Sequence, residues 1–168
     1  MEKSKLTIER LRAVLDYDPE TGIFVRIRSK GVHQSKAKML PKDKRIRISI
    51  DGRRYLASRL AWAYVYGELL PEDVQIDHRD LDILNNRISN LRPATNAQNQ
   101  ANRALQGNNT TGFKGVSFDK ERGKWRACIG GGKRGRQITL GRFSSPEYAH
   151  KAYCEAALKQ YGEFARFA

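Results

Sequence analysis

The chain has 168 residues, of which 32 are Lys or Arg and 18 are Asp or Glu, for a formal charge of +14. That length gives room for one or two small domains with modest cores. The charge attracts polyanions, nucleic acid first among them, because phosphate neutralisation releases counterions.

No apolar run approaches the ~18 residues that suggest a membrane span, and no helix pairs a Lys/Arg face with a broad apolar one. The first ten residues lack the apolar stretch of a signal peptide, so a cytoplasmic protein with no membrane partner is expected. Cys128 and Cys154 form no metal-ligand pattern with the three scattered histidines and are read as small buried apolar residues.

Leu6, Ile8, Leu11, Val14 and Leu15 share one face of a predicted helix, with Thr7 as its N-cap. The turn residues at 18–22 break it. Ile23, Val25 and Ile27 then alternate with Phe24, Arg26 and Arg28, which is a strand signal. Residues 29–44 make a polar, basic loop in which His33 has no assigned role. Ile46, Ile48 and Ile50 alternate with Arg45, Arg47 and Ser49, and Asp51-Gly52 suits a tight hairpin turn into a return strand at 53–56. Residues 57–66 suit a helix stopped by Gly67. Between Glu20 and Leu60 there are twelve Lys/Arg and three Asp/Glu. Two readings of Arg45 and Arg47 stay open: a solvated strand face, or a basic ribbon laid on DNA.

Residues 74–103 read VQIDHRDLDILNNRISNLRPATNAQNQANR. An apolar run ends at Asp77-His78, a loop follows, and 91–94 make a second short strand. Thr95 or Asn96 caps a predicted helix that carries Asn99 and Asn102 on one face and runs to about Leu105. One imidazole, one carboxylate and several amides in a strongly basic chain suit a one-metal nuclease. A neutral His near pKa ~6.5 deprotonates water at physiological pH, and oxygen donors suit a hard cation.

The string D-H, N-N-R-I-S-N-L-R, N-x-x-N resembles the HNH endonuclease family in its phage and intron homing branch. The resemblance implies that His78 is the general base, that Asp77 and Asn99 hold Mg²⁺ or Mn²⁺, and that Asn90 ties the loop to the strands and orients His78.

The stretch 108–112 looks like a linker. Beyond it, Val116 and Phe118 mark a strand. Trp125, Ala127 and Ile129 alternate with Lys124, Arg126 and Cys128 in a second, and Ile138 and Leu140 alternate with Gln137 and Thr139 in a third, with a flexible turn at 130–132. Ser145-Pro146-Glu147 starts a helix whose Ala149, Ala152, Tyr153 and Ala156 form a small-residue face. His150 is read as a surface residue of that helix. Strand alternation gathers Lys124, Arg126, Gln137 and Thr139, with Lys114, on one sheet face. Nine Lys/Arg against two Asp/Glu between Gln106 and Phe143 make this segment basic as well.

The G-V, G-K-W and L-G-x-F strings, followed by a helix rich in Tyr and Ala, resemble the APETALA/ethylene-response DNA-binding domain. That resemblance implies that the basic sheet face lies in a major groove of double-stranded DNA.

The expectation is therefore an α+β protein: a hairpin-and-helix region with a ββα-metal unit in residues 1–107, then a three-stranded antiparallel sheet on one helix in residues 110–168. It acts as a metal-dependent homing-type nuclease, and a single Asp-His site without a repeat or a dimer seam suggests a monomer that nicks one strand. The rival readings are a non-catalytic DNA-binding regulator with a degenerate nuclease fold and, further off, an RNA-binding protein.

Overall fold

The computed structural model describes residues 6–27, 45–130 and 136–168; the expected basic loop with His33, and Gly131 and Gly132 of the expected turn, lie outside them. The chain divides into two compact units, 1–93 and 94–168, each taken here by itself.

In the first unit, α1 (Ile8–Val14) starts at Thr7, whose side chain accepts from the Arg10 N–H. The helix stops one residue earlier than its apolar face suggests. Leu15 is extended and opens β1 (Leu15–Asp18), where Leu15 and Tyr17 point inward and Asp16 and Asp18 outward. A period of two thus overrides the helical reading of Leu15. Strand β1 pairs antiparallel with β2 (Ile23–Arg26), and register places Tyr17 opposite Phe24 with ring centroids 4.6 Å apart. The inward residue of β2 is Phe24, while Ile23 is exposed.

Strands β3 (Arg47–Ile50) and β4 (Arg53–Leu56) form the second hairpin. Its turn has positive φ at both Asp51 and Gly52, which matches the twist of the flanking strands. Ile48 and Ile50 face the core as alternation requires, and α2 (Ala57–Tyr66) follows, closed by Gly67 in the left-handed region. Leu11, Leu15, Tyr17, Phe24, Ile48, Ile50, Leu60 and Leu91 share one core. Strands β5 (Gln75–His78) and β6 (Leu91–Ala94) pair with each other beside it.

The second unit begins with α3 (Asn96–Ala101), capped by Thr95 in a reciprocal box with Gln98. The helix ends at Ala101 rather than near Leu105. Asn102 closes it, and the Lys114 ammonium then takes up the carbonyls of Ala101 and Arg103, both at 2.6 Å. Strands β7 (Val116–Asp119), β8 (Lys124–Ile129) and β9 (Ile138–Phe143) form an antiparallel sheet. Helix α4 (Pro146–Tyr161) covers one face, capped by the Ser145 side chain with Pro146 in its first turn. Ala149, Tyr153 and Ala157 are its buried residues, and Ala156 stands at the flank of that stripe.

Gly22, in the turn between β1 and β2, fixes the approach of this hairpin to the chain near His78. Its φ is +74°, and a Cβ there would lie 2.5 Å from the Arg87 nitrogen and 2.6 Å from the Asn86 carbonyl carbon. Gly22→Ala is expected to cost more than ~1 kcal/mol, because a side chain at positive φ meets fixed backbone. Thermal melts of the variant should show a midpoint several degrees lower, and an unchanged midpoint would mean that the contact is loose.

Candidate nuclease site and nucleic-acid surface

Asp77 and His78 end β5, and successive strand residues point to opposite faces. Asp77 is 3% exposed, and its Oδ2 accepts from Arg92 Nε at 2.8 Å. Arg92, on β6, is 5% exposed, so the pair is a buried salt bridge across two neighbouring strands. The sequence reading assigned no role to Arg92. Its place inside N-L-R at the start of an apolar strand is the signal that marks it.

His78 is half-buried, and burial pushes its imidazole below the ordinary pKa; the Arg45 guanidinium adds to that push, while Asn86, Asp80 and Asp77 oppose it. The ring is thus held toward its neutral form, as a general base requires. The amide that meets His78 is Asn86, not Asn90: His78 Nε2 lies 3.3 Å from Asn86 Oδ1. The Asn86 side-chain nitrogen donates to the Leu84 carbonyl at 3.2 Å, so its oxygen faces the ring. That orientation suits the tautomer with its proton on Nε2. Asn86 is itself 2% exposed, and its carbonyl accepts from the Tyr17 hydroxyl at 2.7 Å.

Asn90 does tie the loop to the strand end. Its Oδ1 accepts from the Asp80 N–H at 3.1 Å, its Nδ2 donates to Asp80 Oδ1 and to the Asn85 carbonyl, both at 2.9 Å, and its own carbonyl accepts from the Arg79 N–H. Burial would raise the Asp80 carboxyl, but donors from Asn85, Asn90 and the Asp82 N–H outweigh it and hold the pKa below the ordinary value.

Asp77, His78 and Asn90 therefore stand together in the first unit, with Arg45 close enough for its charge to act on His78. Asn99 lies on α3, in the second unit. Among the described residues no group of three or more His, Cys, Asp or Glu forms a metal cage. A carboxylate such as Asp77 and an amide oxygen such as Asn99 are donor types that suit Mg²⁺ or Mn²⁺. Asp77 shares its carboxylate with Arg92.

In the second unit Ser117, Arg126 and Arg142 stand side by side across the sheet, with Lys124 and Cys128 on the same face of β8. A register shift after Ala127 leaves Leu140 unpaired, so Thr139 lies opposite Cys128 and Arg142 opposite Arg126. Thr139 and Arg142 share a face that strict alternation would deny them, which is why sequence reasoning missed Arg142. Asp119 holds the Arg142 guanidinium at 2.8 Å. The Arg126 Nε is buried and finds no hydrogen-bond partner among the described residues. Gln137 is exposed just before β9.

Lys114 is a correction to the expected DNA face. It precedes β7, and its ammonium is spent on the end of α3. His150 is likewise no plain surface residue: its Nδ1 lies 3.1 Å from the Lys114 carbonyl and its Nε2 3.4 Å from Cys154 Sγ. Cys128 is buried as expected, and Cys154 is only half-buried.

Residues 55–101 match the HNH endonuclease family model, and residues 111–163 match the AP2 domain model. Over 60 residues the chain is 40% identical to Protein 3.8 of Escherichia phage T7, covering 36% of this chain and 50% of that protein. Over 118 residues it is 30% identical to a protein of Acanthamoeba polyphaga mimivirus named as an uncharacterized HNH endonuclease, covering 70% of this chain and 59% of that one. The chain thus spans between half and three fifths of the length of these relatives. No solved structure matches it.

Removing one partner of a buried ion pair leaves an uncompensated charge, so Arg92→Ala is expected to cost about 3–5 kcal/mol. In chemical denaturation, Arg92→Met combined with Asp77→Asn should recover much of that loss; purely additive losses would show that the two groups are not coupled.

Burial, with Arg166 adding to it, pushes the Lys114 amine down to about 8 from 10.5. The unfolded chain then binds more protons than the folded one between these values, so stability should rise with pH from about 8 to about 10.5. Lys114→Met should flatten that rise, and an identical pH profile in both proteins would contradict the burial.

Proposed function

From a chain that carries an HNH endonuclease segment and an AP2 DNA-binding domain, we propose a divalent-metal-dependent DNA endonuclease of the homing type, acting as a site-selective nickase. The observation that carries the catalytic reading is His78 at the end of β5. Its ring is held toward the neutral form by burial and fixed by Asn86.

His78 Nδ1 takes a proton from water as the water oxygen attacks phosphorus and the opposite P–O bond breaks. The imidazolium that forms carries protons on both nitrogens, and Asn86 Oδ1 accepts the one on Nε2. Asp77 and Asn99 are the oxygen donors proposed for the cation, which supplies charge relief at the leaving oxygen when bound. Asn90 keeps the loop after His78 in place. Arg45 and Arg47 contact the DNA backbone beside the site. Lys124, Arg126 and Thr139, now with Arg142 and Ser117, face a duplex groove, and Gln137 flanks them. Residues 1–107 serve cleavage and residues 110–168 serve anchoring, in a monomer of phage- or mobile-element origin.

The Asp77–Arg92 pair also favours a second reading. A carboxylate already matched to a fixed cation suits a DNA-binding regulator with a silent nuclease fold.

Cleavage of supercoiled plasmid carrying a target site decides between them. With Mg²⁺ the chain should produce open circles before linear product, and a chelator should stop it. His78→Ala should lose about a hundred- to ten-thousandfold in rate while still retarding DNA. Asp77→Ala should demand more metal, and Asn99→Ala should do so more mildly. Undiminished cleavage by His78→Ala would remove the catalytic assignment. Absence of cleavage by the wild-type chain on bound target would favour the regulator.

A further inference from the structure

A groove of about 670 Å³ runs along the edge strand β7 inside the second unit. That volume is in the range of sites that take small organic groups. One wall is the segment that follows α3, the other is the strand itself. The wall is built rather than loose. Lys114 ties the end of α3 to the start of β7, and Asn109 accepts from the N–H groups of Thr111 and Gly112 while its amide donates to the Phe113 carbonyl.

The lining has a consistent chemistry. It contains no Asp or Glu, in a chain that has eighteen. Arg103 and Lys120 stand exposed at the rim, and Gln106 and Asn108 offer amides. Phe118 is 47% exposed, and its ring leans on Trp125 with centroids 5.0 Å apart. An exposed ring backed by a second one is a stacking platform. Cations beside it suit the phosphates of the same strand.

We propose that this groove binds an unpaired segment of DNA, with one base stacked on Phe118 and its flanking phosphates at Arg103 and Lys120. A paired base shows a groove only its edge, so an aromatic face in a cleft selects a base that has left the duplex. The groove shares Ser117 and Gln137 with the border of the duplex-facing side, whereas the Phe118 side chain leaves β7 on the face opposite to Ser117 and Arg126, and the site rests on the reading of the chain as a DNA-binding protein.

The test is fluorescence anisotropy of the full chain with a labelled single-stranded oligonucleotide and with the same sequence as duplex. Phe118→Ala should weaken single-strand binding about ten- to a hundredfold and leave duplex affinity nearly unchanged, and Phe118→Tyr should restore it. Arg103→Gln with Lys120→Gln should lower the single-strand salt slope by about 1.4. Wild-type single-strand affinity in Phe118→Ala, or an equal loss on both DNA forms, overturns the groove. A wild-type chain that binds duplex but no single strand overturns the groove alone. One that binds neither overturns the DNA-binding reading and the groove with it.

Discussion

Amide side chains hold the loop between β5 and β6 in one shape, and the candidate base depends on that. Between Arg79 and Ile88 the chain forms no regular element, so its backbone groups need partners outside any ladder. The Asn90 side chain supplies two of them and also donates to the Asp80 carboxylate, and Asp80, Asp82 and Asn85 bond their own neighbours in short turns. Asn86 is then carried to His78, with its backbone held from behind by the Tyr17 hydroxyl. A side-chain network of this kind has a sharp response to change. Each amide is bonded on more than one side, so losing one strands several buried partners. The three Asn at positions 85, 86 and 90, which read as turn-forming residues, are better understood as a scaffold that stiffens a loop.

The electrostatics on the two sides of β5 differ in kind. Asp77 is turned inward and meets Arg92, where the low local dielectric makes an unpaired carboxylate costly. His78 points the other way, where burial and Arg45 disfavour charge on the ring. One dipeptide therefore presents a carboxyl group paired with a guanidinium and an imidazole held toward its neutral form. Environment, not residue type, separates their roles. The Arg92 guanidinium thus already balances the one carboxylate of this dipeptide.

Much of this was legible in the sequence where local signals agree with tertiary packing. The turn at Asp51-Gly52, the stop at Gly67, the cap at Thr95 and the Ser145-Pro146 start all appear where residue chemistry places them. Legibility failed where two periods overlapped. Leu15 fits a helical face and a strand equally well, and only its pairing with Arg26 decides. It failed again where one extra residue shifts a strand. The unpaired Leu140 moves Arg142 to the face of Arg126, and no count of alternation across residues 137–143 reveals it. Asn86 was hidden for another reason: two adjacent asparagines suggest a turn, and only the fold tells which of them reaches the imidazole.

A sequence family and a compact unit need not share a boundary. The HNH match runs over residues 55–101, while the compact units divide after Pro93. Helix α3, which ends the match, packs against α4 and the short 3₁₀ turn that follows it, and its last carbonyls are bonded by Lys114. A six-residue helix is too short to persist by itself, so α3 takes its stability from what covers it. In this chain the cover comes from the AP2 segment. Lys114, through its own carbonyl bond to His150, belongs to the same framework as α4 and the sheet it covers. The geometry of Asn99 is therefore set within the second unit, and a change that loosens α4 would reach α3 without touching His78.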